Sequence, residues 1–260
     1  MCKEGFFSDL FSLEGQVALV TGGSKGLGRE MARTLAMAGA DVAICSRDGG
    51  AAETVAAEIS TESGRRVVGF SCDVRESDQV AAFVDTVSSE LGDVTIAVLN
   101  AGVNVRKPTA EFTEAEWDLV MDTNVKGAFL FARRLLPGMR ERGYGRMVLL
   151  GSILSFVGVA GRPAYCSSKA ALLGLTRTLA LEAAQDGVCV NAICPGPFDT
   201  PMNVDLTRDP ATREAFIEQI PVGRWGEPRD LQGLALLLCS PACRFITGAG
   251  YLIDGGWTAQ

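Results

Sequence analysis

Short apolar runs alternate with amphipathic stretches along the whole 260-residue chain, and few folds accept that pattern. QVALVT at 16–21 is β-branched, apolar and followed by glycines, as a strand covered on both faces would be. Residues 27–38 follow with Leu27, Met31, Leu35 and Ala38 at helical spacing, and Gly39 closes them. The alternation predicts further strands at 41–46, 66–72, 94–99, 146–151, 188–194 and 250–253. It predicts helices at 51–63, 77–91, 113–141 and 164–185, with helical pieces between 210 and 239. Such a chain is expected to form one α/β domain over 1–260, a doubly wound parallel sheet of about seven strands with helices on both faces. No repeat, low-complexity linker or change of composition divides it.

Composition narrows the function. The net charge is −7, and the densest basic group, at 140–146, is interleaved with Glu141, Gly143 and Tyr144. A nucleic-acid partner is therefore not expected, because affinity for phosphate chains rests on clustered Lys and Arg. No apolar run approaches the roughly 20 residues that span a bilayer, so no membrane partner is expected. The N-terminal extension, 1–14, lacks the apolar core and cleavage site of a signal peptide. Phe6, Phe7, Leu10, Phe11 and Leu13 fit a helical face packed on the domain or on a sister subunit. Of eight cysteines, Cys45, Cys72, Cys189 and Cys194 lie in or beside apolar runs, where a thiol acts as a small core residue. Cys239 and Cys243 have CxxxC spacing, and no CxxC or histidine occurs, so no metal site is expected. Reduced thiols imply a cytoplasmic location.

The chemistry begins at TGGSKGLG, residues 21–28, between the first strand and the first helix. Glycines 22, 26 and 28 allow a tight turn and close approach of a pyrophosphate to the free N–H groups of the helix N-terminus. Placement in the first βα unit gives this otherwise common glycine cluster its weight. An NAD site usually carries an acidic residue at the end of the second strand. Here Ser46 and Arg47 stand there, with Asp48 one step beyond, and Lys25 lies within the loop. A hydroxyl followed by a guanidinium suits a 2′-phosphate, so NADP(H) is favoured and NAD(H) possible. The alternative is that Arg47 only ends a strand and faces water.

The chain has no histidine to move protons near neutral pH, and the tyrosine of AYCSSKAAL at 164–172 is by itself a poor candidate. Tyr165 and Lys169 are four apart, on one helix face. An ammonium near a phenol favours phenolate and draws a pKa of about 10 toward neutrality. Taken singly, the pair also fits an ordinary surface helix, Ser152 a turn cap, Asn124 a satisfied buried amide, and Thr200 a cap.

Together, these residues make the chain resemble the short-chain dehydrogenase/reductase family over essentially its whole length. The shared marks are TGGSKGLG, Asp73 in CDV, Asn100-Ala101-Gly102, Asn124 in DTNVKG, Ser152, Tyr165 and Lys169 in YCSSK, and Pro195-Gly196. Leu99 departs, since the family commonly has two asparagines before Ala-Gly and uses the first, here Leu99, to support the central strands. The resemblance implies a Rossmann fold and a secondary alcohol–ketone interconversion by hydride transfer. Tyr165 would be the acid/base, Lys169 would lower its pKa, Ser152 would hold the substrate oxygen, and Asn124 would anchor a proton-relay water. It implies cofactor contacts from Gly22, Ser24, Lys25, Gly26, Leu27 and Gly28, then Ser46, Arg47, Asp73 and Val74. Asn100, Ala101, Gly102, Tyr165, Lys169, Pro195, Gly196, Phe198 and Thr200 complete that set.

A segment at 197–221 is expected to cover the substrate, which would meet Arg106, Ser152, Leu154, Arg162, Tyr165 and Met202. Guanidinium groups at the rim suit a carboxylate or phosphate; rim charges facing only solvent are the alternative. NAGVNVRKPTAEFTEAEW and IPVGRWGEPRDL look similar to gluconate 5-dehydrogenases and to 3-oxoacyl-acyl-carrier-protein reductases. A sugar acid or similar polar hydroxy compound is the favoured substrate, with an oxoacyl thioester or apolar ketone as alternatives. The Asp254-Gly255-Gly256 turn resembles a family subunit interface and implies a homotetramer or dimer. A non-catalytic NADP(H)-binding sensor is the rival of another class, and a scaffold acting through the Phe-rich N-terminus a further one.

Overall fold

The computed structural model describes residues 5–260. Seven strands form one parallel sheet: β1 (Val17–Thr21), β2 (Asp41–Ser46), β3 (Val67–Ser71), β4 (Ile96–Leu99), β5 (Gly145–Leu150), β6 (Val188–Pro195) and β7 (Gly250–Ile253). Their order is β3-β2-β1-β4-β5-β6-β7. The chain runs outward from β1 to β3, then restarts at β4 on the other side of β1. That reversal leaves a crevice at the carboxyl ends of β1 and β4, where open α/β sheets bind ligands. Every residue of β1, β4, β5 and β6 is buried, which explains their unbroken apolar character.

The helices are α1 (Phe6–Phe11), α2 (Gly26–Met37), α3 (Gly49–Ser63), α4 (Ser77–Glu90), α5 (Glu114–Met121), α6 (Gly127–Arg142), α7 (Pro163–Ala183), α8 (Val204–Thr207), α9 (Pro210–Ile217) and α10 (Gln232–Cys239). Helices α4, α6 and α7 cover one face of the sheet with Phe83, Phe131 and Leu172; α2, α3 and α10 cover the other with Met31, Leu35, Ile59 and Leu238. Each such side chain contributes about 1.5–3 kcal/mol by leaving water. Leu99 is buried and pairs with Leu149, so an aliphatic side chain serves where the family has its first asparagine.

Two expectations need correction. The helix expected over 113–141 is α5 and α6 joined by a π-helical turn, Asp122–Lys126. Such one-turn bulges recur at functional sites, and here the cause is tertiary. The Asn124 amide brackets Val103, accepting from its N–H (2.8 Å) and donating to its carbonyl (3.0 Å). The helical pieces expected between 210 and 239 are present as α9, a 3₁₀ turn at Pro228–Leu231 and α10, separated where Pro221, Gly223 and Gly226 break the ladder. The helix expected to 185 stops at Ala183 and tightens into a 3₁₀ turn, Ala184–Asp186.

The N-terminal extension divides. Leu13 is fully buried and its N–H donates to the Ala38 carbonyl (2.8 Å), whereas Phe6 and Phe7 are exposed. Residues 1–4 lie outside the described residues. The seven described cysteines are unbridged. No helix among the described residues is long and apolar enough to cross a membrane.

Candidate active site

The crevice between β1 and β4 opens into a cleft of ≈ 390 Å³, floored by the glycine loop. The loop is riveted to β4. Thr21 Oγ1 accepts from the N–H groups of Asn100 and Ala101 (both 3.0 Å), and Asn100 Nδ2 donates to the carbonyls of Thr21 (2.9 Å) and Gly22 (3.1 Å). Gly22 has φ 65°, and a Cβ there would lie 2.9 Å from Asn100 Nδ2. A Cβ on Gly28 would collide with Gly22 O and Asn100 Nδ2. Both positions need glycine for close approach, not only for flexibility. Helix α2 begins at Gly26 without a side-chain cap, so its first N–H groups face the cleft unoccupied by the protein.

At the end of β2, the acidic residue already has a task. Asp48 caps α3, its Oδ1 accepting from Ala51 N (3.0 Å), while its carbonyl accepts from the Ser46 hydroxyl (2.5 Å). Arg47 and Lys25 line the cleft, and the Arg47 charge helps lower the pKa of Asp73. Asp73 also lines it, with its carboxylate paired to Arg75 (2.6 Å), which holds its pKa below the usual carboxylate range.

On the opposite wall stand Ser152, Tyr165 and Lys169. Ser152 follows β5 and caps a 3₁₀ turn, accepting from Leu154 N (3.1 Å), so capping and exposure to the cleft coexist. Lys169 is buried, 5.5 Å from the Tyr165 ring centroid, and its Nζ donates to the Leu150 carbonyl at 2.5 Å. Burial lowers its pKa to about 8. The Tyr165 phenol is pushed up by burial and pulled back by the Ser152 hydroxyl, then by the guanidinium charges of Arg162 and Arg106. Lys169 Nζ stands over the same ring, so three cations surround the phenol.

The lysine shift sets a pH dependence of stability. Between about 8 and the usual 10.5, the unfolded chain binds the proton that folded Lys169 has shed. The burial penalty is therefore complete below about 8 and is relieved as pH rises through this window. In the ligand-free protein, the wild-type thermal midpoint should gain on that of Lys169→Met as pH is raised to 10. A constant difference would contradict the burial effect.

All the expected cofactor residues line the cleft, as do Leu154, Arg162 and Met202. Two expected site residues, Asn124 and Arg106, are not among the side chains that line it. Asn124 lies behind the wall, buried, with its amide bonded to Val103 and to Ser168 Oγ (2.9 Å). Arg106 Nη2 instead donates to the Met202 carbonyl and Asn203 Oδ1 (3.1 Å each), bracing the segment above the cleft. Asn104, Val159, Leu206, Phe216, Trp225 and Trp257 also line the cleft and were not expected from sequence. Phe216 and Trp225 form a tilted pair with centroids 5.3 Å apart. Apart from the tryptophans' size and amphipathic character, these residues carry no local signal; their meeting is a product of long-range folding.

A family model described as Enoyl-(Acyl carrier protein) reductase matches residues 22–258. The chain is 39% identical over 254 residues to the 2-dehydro-3-deoxy-D-gluconate 5-dehydrogenase of Pseudoalteromonas atlantica, covering 96% of this chain and 98% of that one. It is 38% identical over 252 residues to a tropinone reductase homolog of Arabidopsis thaliana, covering 95% and 92%. Its structure resembles that of a gluconate 5-dehydrogenase from Burkholderia cenocepacia solved with NADP and tartrate. That match has a TM-score of 0.93 at 34% identity and covers 97% and 99% of the two chains. Fold and cleft define a dinucleotide-binding oxidoreductase of the Rossmann type. The chain belongs to the short-chain dehydrogenase/reductase family.

Proposed function

We propose that the chain is an NADP(H)-dependent oxidoreductase interconverting a secondary alcohol and a ketone, with a sugar acid or similar anionic hydroxy compound as substrate. The observation that carries this reading is the convergence of Ser152, Tyr165 and Lys169 on one wall of a cleft whose other end is the glycine loop. The cradle fits a dinucleotide: an uncapped helix N-terminus, glycines where a Cβ would collide, and Arg47 and Lys25 beside the ribose end. Capping of α3 by Asp48 supports the phosphorylated cofactor, because its carboxylate is engaged away from a 2′-hydroxyl. The Burkholderia cenocepacia relative, named with NADP, supports the same choice.

When bound, NADPH supplies the hydride that reduces the carbonyl carbon. Ser152 donates a hydrogen bond to the carbonyl oxygen and stabilises the charge developing there. Tyr165 gives its phenolic proton to that oxygen, and in the oxidative direction takes it back. Lys169, with a pKa near 8, stands beside Tyr165 as the cation that favours the deprotonated phenol. Gly102 lets the Asn124 Oδ1 and Lys169 Nζ come close together, since a Cβ there would meet them at 3.2 and 3.6 Å. Asn124 thereby serves any proton relay from behind, through Val103 and Ser168.

Arg162 is half-buried on the substrate side, and burial and the facing Arg106 lower its pKa. Two guanidinium groups at close quarters favour an anionic substrate that relieves their repulsion. The segment 197–221 covers this end with Met202, Leu206 and Phe216. A second reading, reduction of a bulkier apolar ketone, draws on the Phe216–Trp225 pair and the tropinone reductase homolog. The exposed edge strand β7 with Leu252, and exposed Trp117 and Phe129 on α5 and α6, support assembly into a dimer or tetramer.

NADPH and NADH oxidation against keto-sugar acids, β-ketoacyl thioesters and apolar ketones tests the reading. Preference for NADPH with a keto-sugar acid is expected, and turnover confined to apolar ketones would favour the second reading. Arg47→Ala should weaken NADPH binding about tenfold or more while NADH binding changes little, because a charge-assisted bond to phosphate is lost. An equal effect on both would remove Arg47 from the 2′-phosphate site.

A further inference from the structure

Six buried side-chain polar atoms among the described residues lack a protein partner, Asn104 Oδ1 and Trp257 Nε1 among them. Asn104 and Trp257 both line the cleft. A buried acceptor and a buried donor left without partners are costly, and native chains retain few of them. Both also stand on fixed backbone. Asn104 follows Val103, whose N–H and carbonyl are each held by Asn124. Trp257 sits in a turn wound on Asp254, whose carboxylate accepts from Gly256 N (2.9 Å), Thr258 N (2.9 Å) and Thr258 Oγ1 (2.6 Å). Gly255 and Gly256 pack that turn against Ile220, Pro221 and Val222, so the indole is anchored beside the covering segment.

We propose that Asn104 and Trp257 are specificity-determining residues that read the oxygens of a polyhydroxylated substrate. The Asn104 amide accepts from a substrate hydroxyl, and the Trp257 indole N–H donates to a hydroxyl or carboxylate oxygen. This rests on the reading of the cleft as an alcohol–ketone oxidoreductase site and says which end of it selects. A site built to bond substrate hydroxyls discriminates strongly against analogues lacking them, because its buried polar groups are then left unpaired. The aromatic pair Phe216–Trp225 then forms the wall against which the carbon chain lies, and the polar selection falls to Asn104 and Trp257.

The test uses Trp257→Phe, which keeps a ring and removes the N–H, and Asn104→Leu, which keeps the approximate volume and removes the amide. The readout is the ratio of kcat/KM for 5-keto-D-gluconate to that for cyclohexanone, with NADPH. Each variant should lower this ratio about tenfold to a hundredfold, mainly through KM for the keto acid. Thermal midpoint and NADPH affinity report whether the fold is kept. A ratio within twofold of wild type in both folded variants overturns the proposal. So does a wild-type protein that reduces cyclohexanone but not the keto acid. Calorimetric titration of D-gluconate into the protein–NADPH complex, a pairing that cannot react, adds a readout independent of turnover. Affinity should fall about tenfold in each variant, and absence of binding to wild type overturns the proposal. Failure of the underlying reading looks different: Tyr165→Phe would then turn over as fast as wild type.

Discussion

Tyr165→Phe should abolish turnover, lowering kcat by about 10²–10⁴-fold, the usual weight of a positioned general acid or base. The substitution removes one oxygen and keeps the ring that packs on the cleft wall beside Lys169. The chain contains no histidine to take its place, and the Asp73 carboxylate in the cleft is paired to Arg75. The protonation state of the phenol is set by opposing effects. Burial pushes its pKa up, while the Ser152 hydroxyl and the charges of Arg162 and Arg106 pull it down. The kinetic pH profile should therefore shift to higher pH when Arg162 is neutralised, as Arg162→Gln would do. A non-catalytic sensor would bind NADPH and show no turnover to lose. A Tyr165→Phe protein as active as wild type would place the acid elsewhere.

Gly28→Ala is the second large effect. The new methyl would lie inside contact distance of the Gly22 carbonyl and Asn100 Nδ2, and neither can yield freely. Asn100 Nδ2 is already engaged with the carbonyls of Thr21 and Gly22, so displacing it unties the loop from β4. Overpacking of this kind costs about 1–3 kcal/mol of stability. Losing one or two charge-assisted bonds from loop amides to phosphate should weaken NADPH binding about 10–10³-fold. Fluorescence titration with NADPH and a thermal melt measure the two effects. Wild-type affinity in the variant would mean that the pyrophosphate does not rest on this loop.

Seven strands, their parallel order and the glycine loop were readable because each is written locally, in apolar runs of strand length and in glycines at a βα turn. The π turn was not, because periodicity over 113–141 reports a helix, while the extra residue is drawn in by the bonds between Asn124 and Val103, 21 positions apart. Asn124 is buried, and its bonds to Val103 and Ser168 were not legible because they join distant parts of the chain. Arg106 was legible as a cation near the substrate end; that it braces Met202 and Asn203 depends on a contact across 96 positions. The role of Asp48 was hidden for a different reason. Its distance from the glycine loop suits a ribose ligand, and only the geometry at the start of α3 reveals a cap. Trp257 and Asn104 reach the same cleft through the fold alone.

Tracing the hydride tests the central claim most directly. NADPH carrying deuterium at the transferable position of the nicotinamide is incubated with the wild-type protein and each ketone of the panel, and the products are weighed. The account predicts an alcohol carrying one deuterium at the former carbonyl carbon, formed from a keto-sugar acid. That product should disappear with Tyr165→Phe. Protein that binds the labelled cofactor tightly yet leaves every carbonyl unlabelled would contradict it.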